Sequence, residues 1–246
     1  MPTGKLAALF VFTLLACSAM SAQSSPGPSK HSGPPIVGEF QPPQESPEDF
    51  GRRQTRERRY GNLRTPGRIF DPGEFVKGYS ETTHATFLDY AVIGQSSDPY
   101  GIPASVSTAI VIATVMSGQC FVTSDHGFVY TDYQLKIDAV LKADPSADLK
   151  PGVLVTGARA GGAVHFPSGH KTKYVYRGYG FPTIGSRYVL FLRRDIPDLP
   201  EYEIIFASGY EIKTDRVYSL DDMSFPIFVS TVRQAIATSQ NQGVKP

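Results

Sequence analysis

The sequence predicts a mainly β fold, a small antiparallel barrel that its own strands close or nearly close, covered by one C-terminal α-helix. Three observations support this prediction. Polar and apolar residues alternate along VYTDYQLKIDAVLK, residues 129–142, which is typical of a strand with one buried face. Other runs rich in β-branched and aromatic residues are separated by clusters of Gly, Pro, Ser and Asp. Only the last segment, SFPIFVSTVRQAIATSQ, has the apolar spacing of a helix.

Residues 1–22 are predicted to form a secretory signal peptide. Lys5 supplies the positive start, and residues 6–16 are apolar apart from Thr13. This run of 11 residues is shorter than the roughly 20 that cross a bilayer, so a signal peptide is favoured over a membrane anchor. We therefore expect an exported protein.

Two cleavage outcomes stay open. The tetrapeptide LLAC, which ends at Cys17, resembles the lipobox of bacterial lipoproteins and would leave Cys17 as a lipidated N-terminus. The following SAMSAQ offers the small residues that ordinary signal peptidase requires, and cleavage there would release a soluble product. The predicted localisation is accordingly periplasmic, secreted or lipid-anchored to the cell envelope.

Residues 23–79 are predicted to be a disordered linker, because they are rich in Pro, Gly, Ser, Gln and charge and poor in apolar residues. Within them, RRQTRERR at residues 52–59 places five arginines in eight residues. Such a run binds anionic lipid headgroups or an acidic envelope polymer, or is simply solvated. Contact with a membrane is expected only through this basic linker or through a lipid on Cys17.

The distribution of charge argues against nucleic-acid binding by the folded part. Residues 1–80 hold 10 Lys and Arg against 7 Asp and Glu, whereas residues 81–246 hold 14 against 16. A domain that follows a phosphate backbone needs a strong positive excess, because counterion release drives that binding. No nucleic-acid partner is therefore predicted.

The folded domain is predicted over residues 83–239, as a β-barrel with a C-terminal helix. Residues 164–178 are predicted to form a hairpin inserted between barrel strands, turning at Pro167-Ser168-Gly169. A second hairpin turns near Thr214, and Ser224 caps the final helix. The strands, hairpins included, are predicted in chain order at residues 85–94, 105–116, 129–142, 153–163, 164–178, 186–195 and 201–220.

Five segments in this order, AIVIATVMS, YTDYQLKIDAVLK, LKPGVLV, TIGSRYVLFLR and YEIIFASGYEIKTDRVYSL, carry a resemblance. Over residues 105–220 their strand rhythm resembles the netrin-module and tissue-inhibitor-of-metalloproteinases-like OB barrels, and uncharacterised bacterial exported proteins with that pattern. The resemblance implies a secreted, five-stranded Greek-key barrel whose relatives bind proteins or glycans. The inhibitors chelate a protease zinc through an N-terminal Cys-x-Cys in a disulfide-tied scaffold. This sequence has no Cys-x-Cys, so neither that activity nor any functional residue is carried over.

Cys120 is interpreted as a buried small residue, because apolar residues flank it in GQCFV. The alternative, a nucleophilic thiol, needs a neighbouring base that the sequence does not locate. The only other cysteine, Cys17, lies in or beside the signal peptide. No internal disulfide framework is predicted.

The glycine-containing segment VLVTGARAGGA, residues 153–163, imitates a dinucleotide-binding turn. A dinucleotide site needs a helix to begin at the glycines, so that the N-terminus of the helix holds the pyrophosphate. Here a predicted hairpin follows instead. We predict a strand-end bulge or a close approach to a neighbouring strand, and no cofactor.

Four loop residues are the candidates for catalysis or metal binding. Asp125 and His126 share one loop, and His165 and His170 lie on either side of the predicted turn. A zinc site needs three or four ligands, which are not supplied nearby, so no metal is predicted. The chain has no G-x-S-x-G, no H-E-x-x-H and no P-loop. These four residues support only the alternative hypothesis of a small extracytoplasmic hydrolase-type enzyme.

Aromatic residues give the stronger indication. Tyr174 and Tyr176 alternate along a predicted strand and share one of its faces, and Tyr179 and Phe181 follow them. Exposed, these rings would anchor a protein or a sugar; packed, they would close one end of the barrel.

The predicted function is an exported, non-enzymatic binding or interaction module. Its partner is expected to be an envelope or extracellular protein or glycan, bound through the four aromatic residues. The alternatives are the hydrolase-type enzyme and a structural accessory of a larger assembly.

Overall fold

Strands dominate the structure, which confirms the mainly β prediction. The computed structural model describes residues 36–40, 45–60, 69–74, 84–88, 102–176, 180–196, 199–206, 210–217 and 223–242. All of them belong to one compact unit, His31–Pro246. The strands are β1 Val37–Glu39, β2 His84–Leu88, β3 Ala109–Val122, β4 Val129–Lys142, β5 Leu154–Ala160, β6 Gly162–His165, β7 Lys171–Tyr176, β8 Arg187–Arg193, β9 Tyr202–Phe206, β10 Glu211–Lys213, β11 Arg216–Val217 and β12 Met223–Ser224. The helices are α1 Pro47–Glu57 and α2 Phe225–Gln242, with 3-10 segments at Arg58–Tyr60 and Pro72–Glu74.

The larger sheet closes a ring of strand pairings. Its order is β12-β11-β10-β8-β3-β4-β5-β9, and β8 additionally pairs with β9. The strands β3, β4, β5, β9 and β8 are therefore each paired with two others of the set, and only β5 and β9 run parallel. Alternate side chains of these strands, among them Val111, Leu135, Leu190 and Ile204, pack into one buried cluster.

Helix α2 covers the opposite face of β3 and β8. Ile110 and Phe191 alternate with the residues of the first cluster and pack with Phe228 and Val232 of the helix. The helix begins at Phe225, and Pro226 occupies its first turn, where a missing N–H leaves no helical hydrogen bond unmade. The predicted C-terminal helix is thus confirmed.

A pair of glycines joins the larger sheet to a smaller one. The smaller sheet has the order β1-β6-β7-β2, and β6 follows β5 after Gly161, whose φ is +94°. A Cβ on Gly162 would lie 2.4 Å from the Sγ of Cys120 and 2.8 Å from the Oγ1 of Thr131. The glycines therefore permit close approach to neighbouring strands, as predicted, and a strand rather than a helix follows them.

The predicted hairpin at residues 164–178 is present as β6 and β7. The two strands are antiparallel, and the backbone N–H of Phe166 donates to the carbonyl of His170 at 2.8 Å across the turn. Strand β1 pairs with β6 in parallel and forms one edge of this sheet.

The arginine-rich segment differs from its prediction. Disorder was expected over residues 23–79, but residues 47–57 form α1, which Ser46 caps by accepting a hydrogen bond from the N–H of Asp49 at 3.1 Å. Tyr60, only 1% exposed, stacks on Phe128 and Tyr130 with ring centroids 4.7 and 5.0 Å apart. The expectation of disorder is therefore wrong for the described residues 36–40, 45–60 and 69–74, which include β1, α1 and two 3-10 segments. Partners distant in sequence fix residues 45–60.

Parts of the N-terminal predictions lie outside the described residues. These are the signal peptide at residues 1–22, the possible lipid attachment at Cys17, and residues 23–35, 41–44, 61–68 and 75–79 of the predicted linker. Within the described part of the chain, none of the helices is long and apolar enough to cross a membrane.

Candidate functional site

Two of the four aromatic residues predicted to form an exposed binding surface are buried in the structure. Tyr174 is 7% exposed and packs with Cys120 and Phe166, and Phe181 is 2% exposed. The prediction of an exposed aromatic surface is wrong for Tyr174 and Phe181, because Tyr174 lies on the face of β7 that turns toward the core. The side chain of Tyr176 and all of Tyr179 lie outside the described residues.

Asp125 and His126 do not form a catalytic pair. The carboxylate of Asp125 accepts from the Oγ1 of Thr123 at 2.8 Å and from the N–H of Gly127 at 2.9 Å, which closes the loop between β3 and β4. The imidazole of His126 packs against Phe40, with ring centroids 4.6 Å apart. Both residues therefore shape the loop.

His165 and His170 have separate partners. The Nδ1 of His165 lies 3.2 Å from Oε1 of Glu39 at an exposed position. The Nδ1 of His170 lies 2.9 Å from the Oγ of Ser168. Among the described residues, no group of three or more His, Cys, Asp and Glu side chains is arranged to hold a metal ion.

Asp71, Ser168 and His170 form a hydrogen-bonded chain that resembles a catalytic triad only in composition. The Asp71 carboxylate accepts from the Oγ of Ser168, from its N–H at 2.9 Å, and from the N–H of Gly73 at 2.9 Å. Burial opposes ionisation of Asp71, but these hydrogen bonds outweigh it and lower the pKa of the carboxyl. The serine hydroxyl proton is thus directed to Asp71, whereas a hydrolase places the histidine between the other two groups. These hydrogen bonds attach the β6–β7 turn to residues 71–73.

A cavity of about 430 Å³ is a candidate site in the described structure. It lies between α1, β1 and the end of β3, and its volume falls within the range of about 300–1,000 Å³ that is usual for ligand pockets. One side is polar and the other is largely apolar. The lining comprises residues 37–39 of β1, residues 119–122 of β3, Glu45, Asp49, Arg53 and Arg56.

Arg53 attaches the helix to the body of the domain. Its Nε donates to both carboxylate oxygens of Glu45, at 2.9 and 3.1 Å, and its Nη1 donates to Glu57 at 2.7 Å. Glu57 in turn accepts from the N–H and Oγ of Ser124, at 3.0 and 2.6 Å. These bonds join α1 to the β3–β4 loop, so the polar wall of the cavity is fixed.

Arg56 joins two buried carboxylates. Its Nη1 lies 3.0 Å from Oδ2 of Asp132, and its Nε lies 3.0 Å from Oε1 of Glu201. Burial raises the pKa of Asp132 to about 6, and the charge of Glu201 acts in the same direction, whereas Arg56 opposes them. The remaining oxygens, Asp132 Oδ1 and Glu201 Oε2, have no hydrogen-bond donor among the described residues.

Arg59 completes the attachment of this segment. Its Nε donates to both oxygens of Asp195, at 2.9 and 3.1 Å, and its Nη2 donates to the carbonyl of Glu201 at 3.3 Å. Three arginines of the predicted linker, Arg53, Arg56 and Arg59, thus bind carboxylates of the same chain.

Cys120 borders the cavity, and its free thiol is buried in the core with Phe166 and Tyr174. Burial raises the pKa of this thiol to about 12, so it is protonated at neutral pH. Its interpretation as a buried small residue is confirmed, and it does not supply a thiolate nucleophile.

Sequence reasoning missed this cavity because its walls come from segments that are far apart in the chain. The start of α1 did carry a local signal, Ser46 followed by Pro47, Glu48 and Asp49, which is the usual pattern of a helix N-terminus. Comparisons with known protein families, with curated proteins and with solved structures find no match. The geometry of the cavity is accordingly the feature on which a function for this chain rests.

Proposed function

We propose that this protein is an exported, non-enzymatic binding module built on an OB-like Greek-key barrel. The ring of five paired strands supports the barrel, since β8 contacts both β3 and β9. The signal-peptide pattern of residues 1–22 supports export to the periplasm or the cell exterior, with Cys17 as a possible point of lipid attachment. The partner is an envelope or extracellular protein or glycan.

One observation carries the binding role: a cavity of ligand size has one fixed charged wall and one apolar wall. The residues that would serve an enzyme do not meet there. Asp125 and His126 shape a loop, His165 lies beside Glu39, and His170 is bonded to Ser168. The arrangement can hold a ligand in one orientation, and it brings no activated nucleophile to it.

The replacement Val37→Trp is expected to abolish partner binding. Val37 lines the cavity and is 49% exposed, so an indole at this position fills the space without displacing the core. Leu154→Trp is the matched control, because Leu154 is 60% exposed and does not line the cavity. We expect Val37→Trp to weaken binding by at least about tenfold, or about 1.4 kcal/mol.

The measurement uses the immobilised protein to isolate partners from cell-envelope and culture fractions, followed by the Kd of each purified partner for both variants. A partner that binds the wild type and the Leu154→Trp variant equally, and the Val37→Trp variant weakly, supports the proposal. Equal binding by both variants, or chemical conversion of the bound partner that Asp132→Asn removes, contradicts it.

A further inference from the structure

The cavity is more acidic than the arginine content of α1 suggests. Its lining contains three carboxylates, Glu39, Glu45 and Asp49, against the two guanidinium groups of Arg53 and Arg56. Glu39 and Asp49 are exposed, so their charges face the solvent near the cavity. An anionic ligand would have to approach these carboxylates before it reached either arginine.

Neither arginine is left to bind an anion. Arg53 is enclosed by Glu45 and Glu57, and each of these contacts is within 3.1 Å. A guanidinium bonded to two carboxylates is already neutralised, and exchange of either partner for a ligand would leave a buried carboxylate unpaired. The arginines therefore serve to position carboxylates.

Buried negative charge also lies directly behind the cavity wall. Asp132 is opposite Gln119 in the β3–β4 pairing, and Gln119 lines the cavity. Asp132 and Glu201 are each 8% exposed and are both bonded to Arg56, so two carboxylates share one cation. Asp132 Oδ1 and Glu201 Oε2 lack a donor in the described residues. The carboxylates in and beside this wall therefore outnumber its two arginines, Arg53 and Arg56.

The opposite wall suits a hydrocarbon stem. Val37 of β1 and Phe121 of β3 supply its apolar side chains. Cys120 and Val122 also border the cavity, but their side chains are buried in the core with Phe166 and Tyr174. The thiol of Cys120 is neutral, so it adds no charge near this wall. A ligand that matches both walls has a positive head and a short apolar chain.

We propose that this cavity binds an organic cation, a primary ammonium or guanidinium group on an alkyl stem. A lysine or arginine side chain of a polypeptide carries this chemistry, and so does a free polyamine. The inference rests on the proposed binding function and specifies the ligand class of the same cavity.

The test uses three probes with the full mature protein at low ionic strength. They are a short, blocked peptide with one central lysine flanked by valines, the same peptide with that lysine acetylated on its Nζ, and spermidine. Binding is measured by calorimetry and by chemical-shift changes at residues 37–39 and 119–122 in the labelled protein. Binding of the lysine peptide alone identifies a polypeptide source, and binding of spermidine alone identifies a polyamine.

Charge variants separate a specific site from general attraction. The double variant Glu39→Gln, Asp49→Asn removes the two exposed carboxylates of the lining, and Glu48→Gln, Asp148→Asn removes two exposed carboxylates that do not line it. We expect the first variant to weaken binding of the cation about fivefold or more, and the second to weaken it less than twofold.

Each outcome decides a separate question. Equal binding of the lysine and acetyl-lysine peptides, equal effects of the two double variants, or no binding of any probe at about 1 mM overturns the cation inference. If a natural partner still loses binding in the Val37→Trp variant, the proposed function stands and only the ligand class is wrong. If that partner is also unaffected, both proposals fail.

Discussion

Replacing Arg56 with methionine is expected to lower the free energy of unfolding by about 3 kcal/mol, because it leaves two buried carboxylates without their shared cation. Asp132 and Glu201 are each 8% exposed, and Arg56 contacts both at 3.0 Å. Loss of one partner of a buried ion pair costs more than the pair itself contributes, since the unpaired charge remains desolvated. The estimate lies at the lower end of the usual range because about a fifth of the Arg56 side chain is exposed.

Two further variants isolate the cause of this loss. Arg52→Met is the matched control, since Arg52 forms an exposed pair with Glu48 on the same helix and its removal should cost below about 0.5 kcal/mol. The triple variant Arg56→Met, Asp132→Asn, Glu201→Gln should recover most of the stability, because it removes all three charges of this cluster together. Urea unfolding followed by far-ultraviolet circular dichroism measures all three. Equal stability of the Arg56→Met and Arg52→Met variants would show that α1 is not attached to the larger sheet.

The replacement Gly162→Ala is expected to destabilise the domain by about 2–3 kcal/mol, because a new methyl group would overlap two side chains. The added Cβ would lie 2.4 Å from the Sγ of Cys120 and 2.8 Å from the Oγ1 of Thr131, distances that no carbon atom tolerates without displacement. Both neighbours lie in paired strands and cannot withdraw easily. This site is where the sequence imitates a nucleotide-binding turn.

The double variant Gly162→Ala, Cys120→Ala tests the stated cause. Removal of the Cys120 sulfur relieves the shorter contact, so the double variant should be more stable than the sum of the two single effects predicts. Gly51→Ala serves as the control, because nothing lies within 4 Å of a Cβ there and alanine favours the helix. Additive effects of Gly162→Ala and Cys120→Ala in urea unfolding would refute the steric account.

Most of the strand and helix predictions rest on the local periodicity of apolar residues. The alternation of residues 129–142 predicted β4 with both of its bounds, and the change of period after Ser224 predicted α2. These elements were predictable because their pattern reflects which face each one buries. The glycine pair was also interpreted correctly, since a predicted hairpin after it excluded a nucleotide-binding helix.

Long-range ion pairs were the main feature that the sequence did not reveal. Arg56 and Asp132 are 76 positions apart, and Arg59 and Asp195 are 136 positions apart. A low content of apolar residues indicated disorder, because composition takes no account of charged partners elsewhere in the chain. The sequence nevertheless contains two local signals of α1, its N-terminal cap and the i,i+4 pair of Arg53 with Glu57.

The aromatic prediction failed for a different reason. Alternation places Tyr174 and Tyr176 on one face of β7, but it does not say which face the neighbouring strands cover. Tyr174 packs with Cys120 and Val122 of β3, so its ring belongs to the core. The candidate site is the cavity and not an aromatic surface. Recognising the cavity required the three-dimensional positions of α1 and β1, which no local pattern in the sequence supplies.

Hydrogen exchange tests most directly whether the arginine-rich segment forms a fixed wall of the cavity. Deuterium uptake of the backbone amides of residues 50–60 is measured by mass spectrometry in the mature protein at neutral pH. We expect protection close to that of β4 for the amides that bond within α1, and loss of this protection in the Arg56→Met variant. If these amides exchange in the wild type at the rate of an unstructured peptide, the segment is a flexible linker and does not form a fixed wall of the cavity.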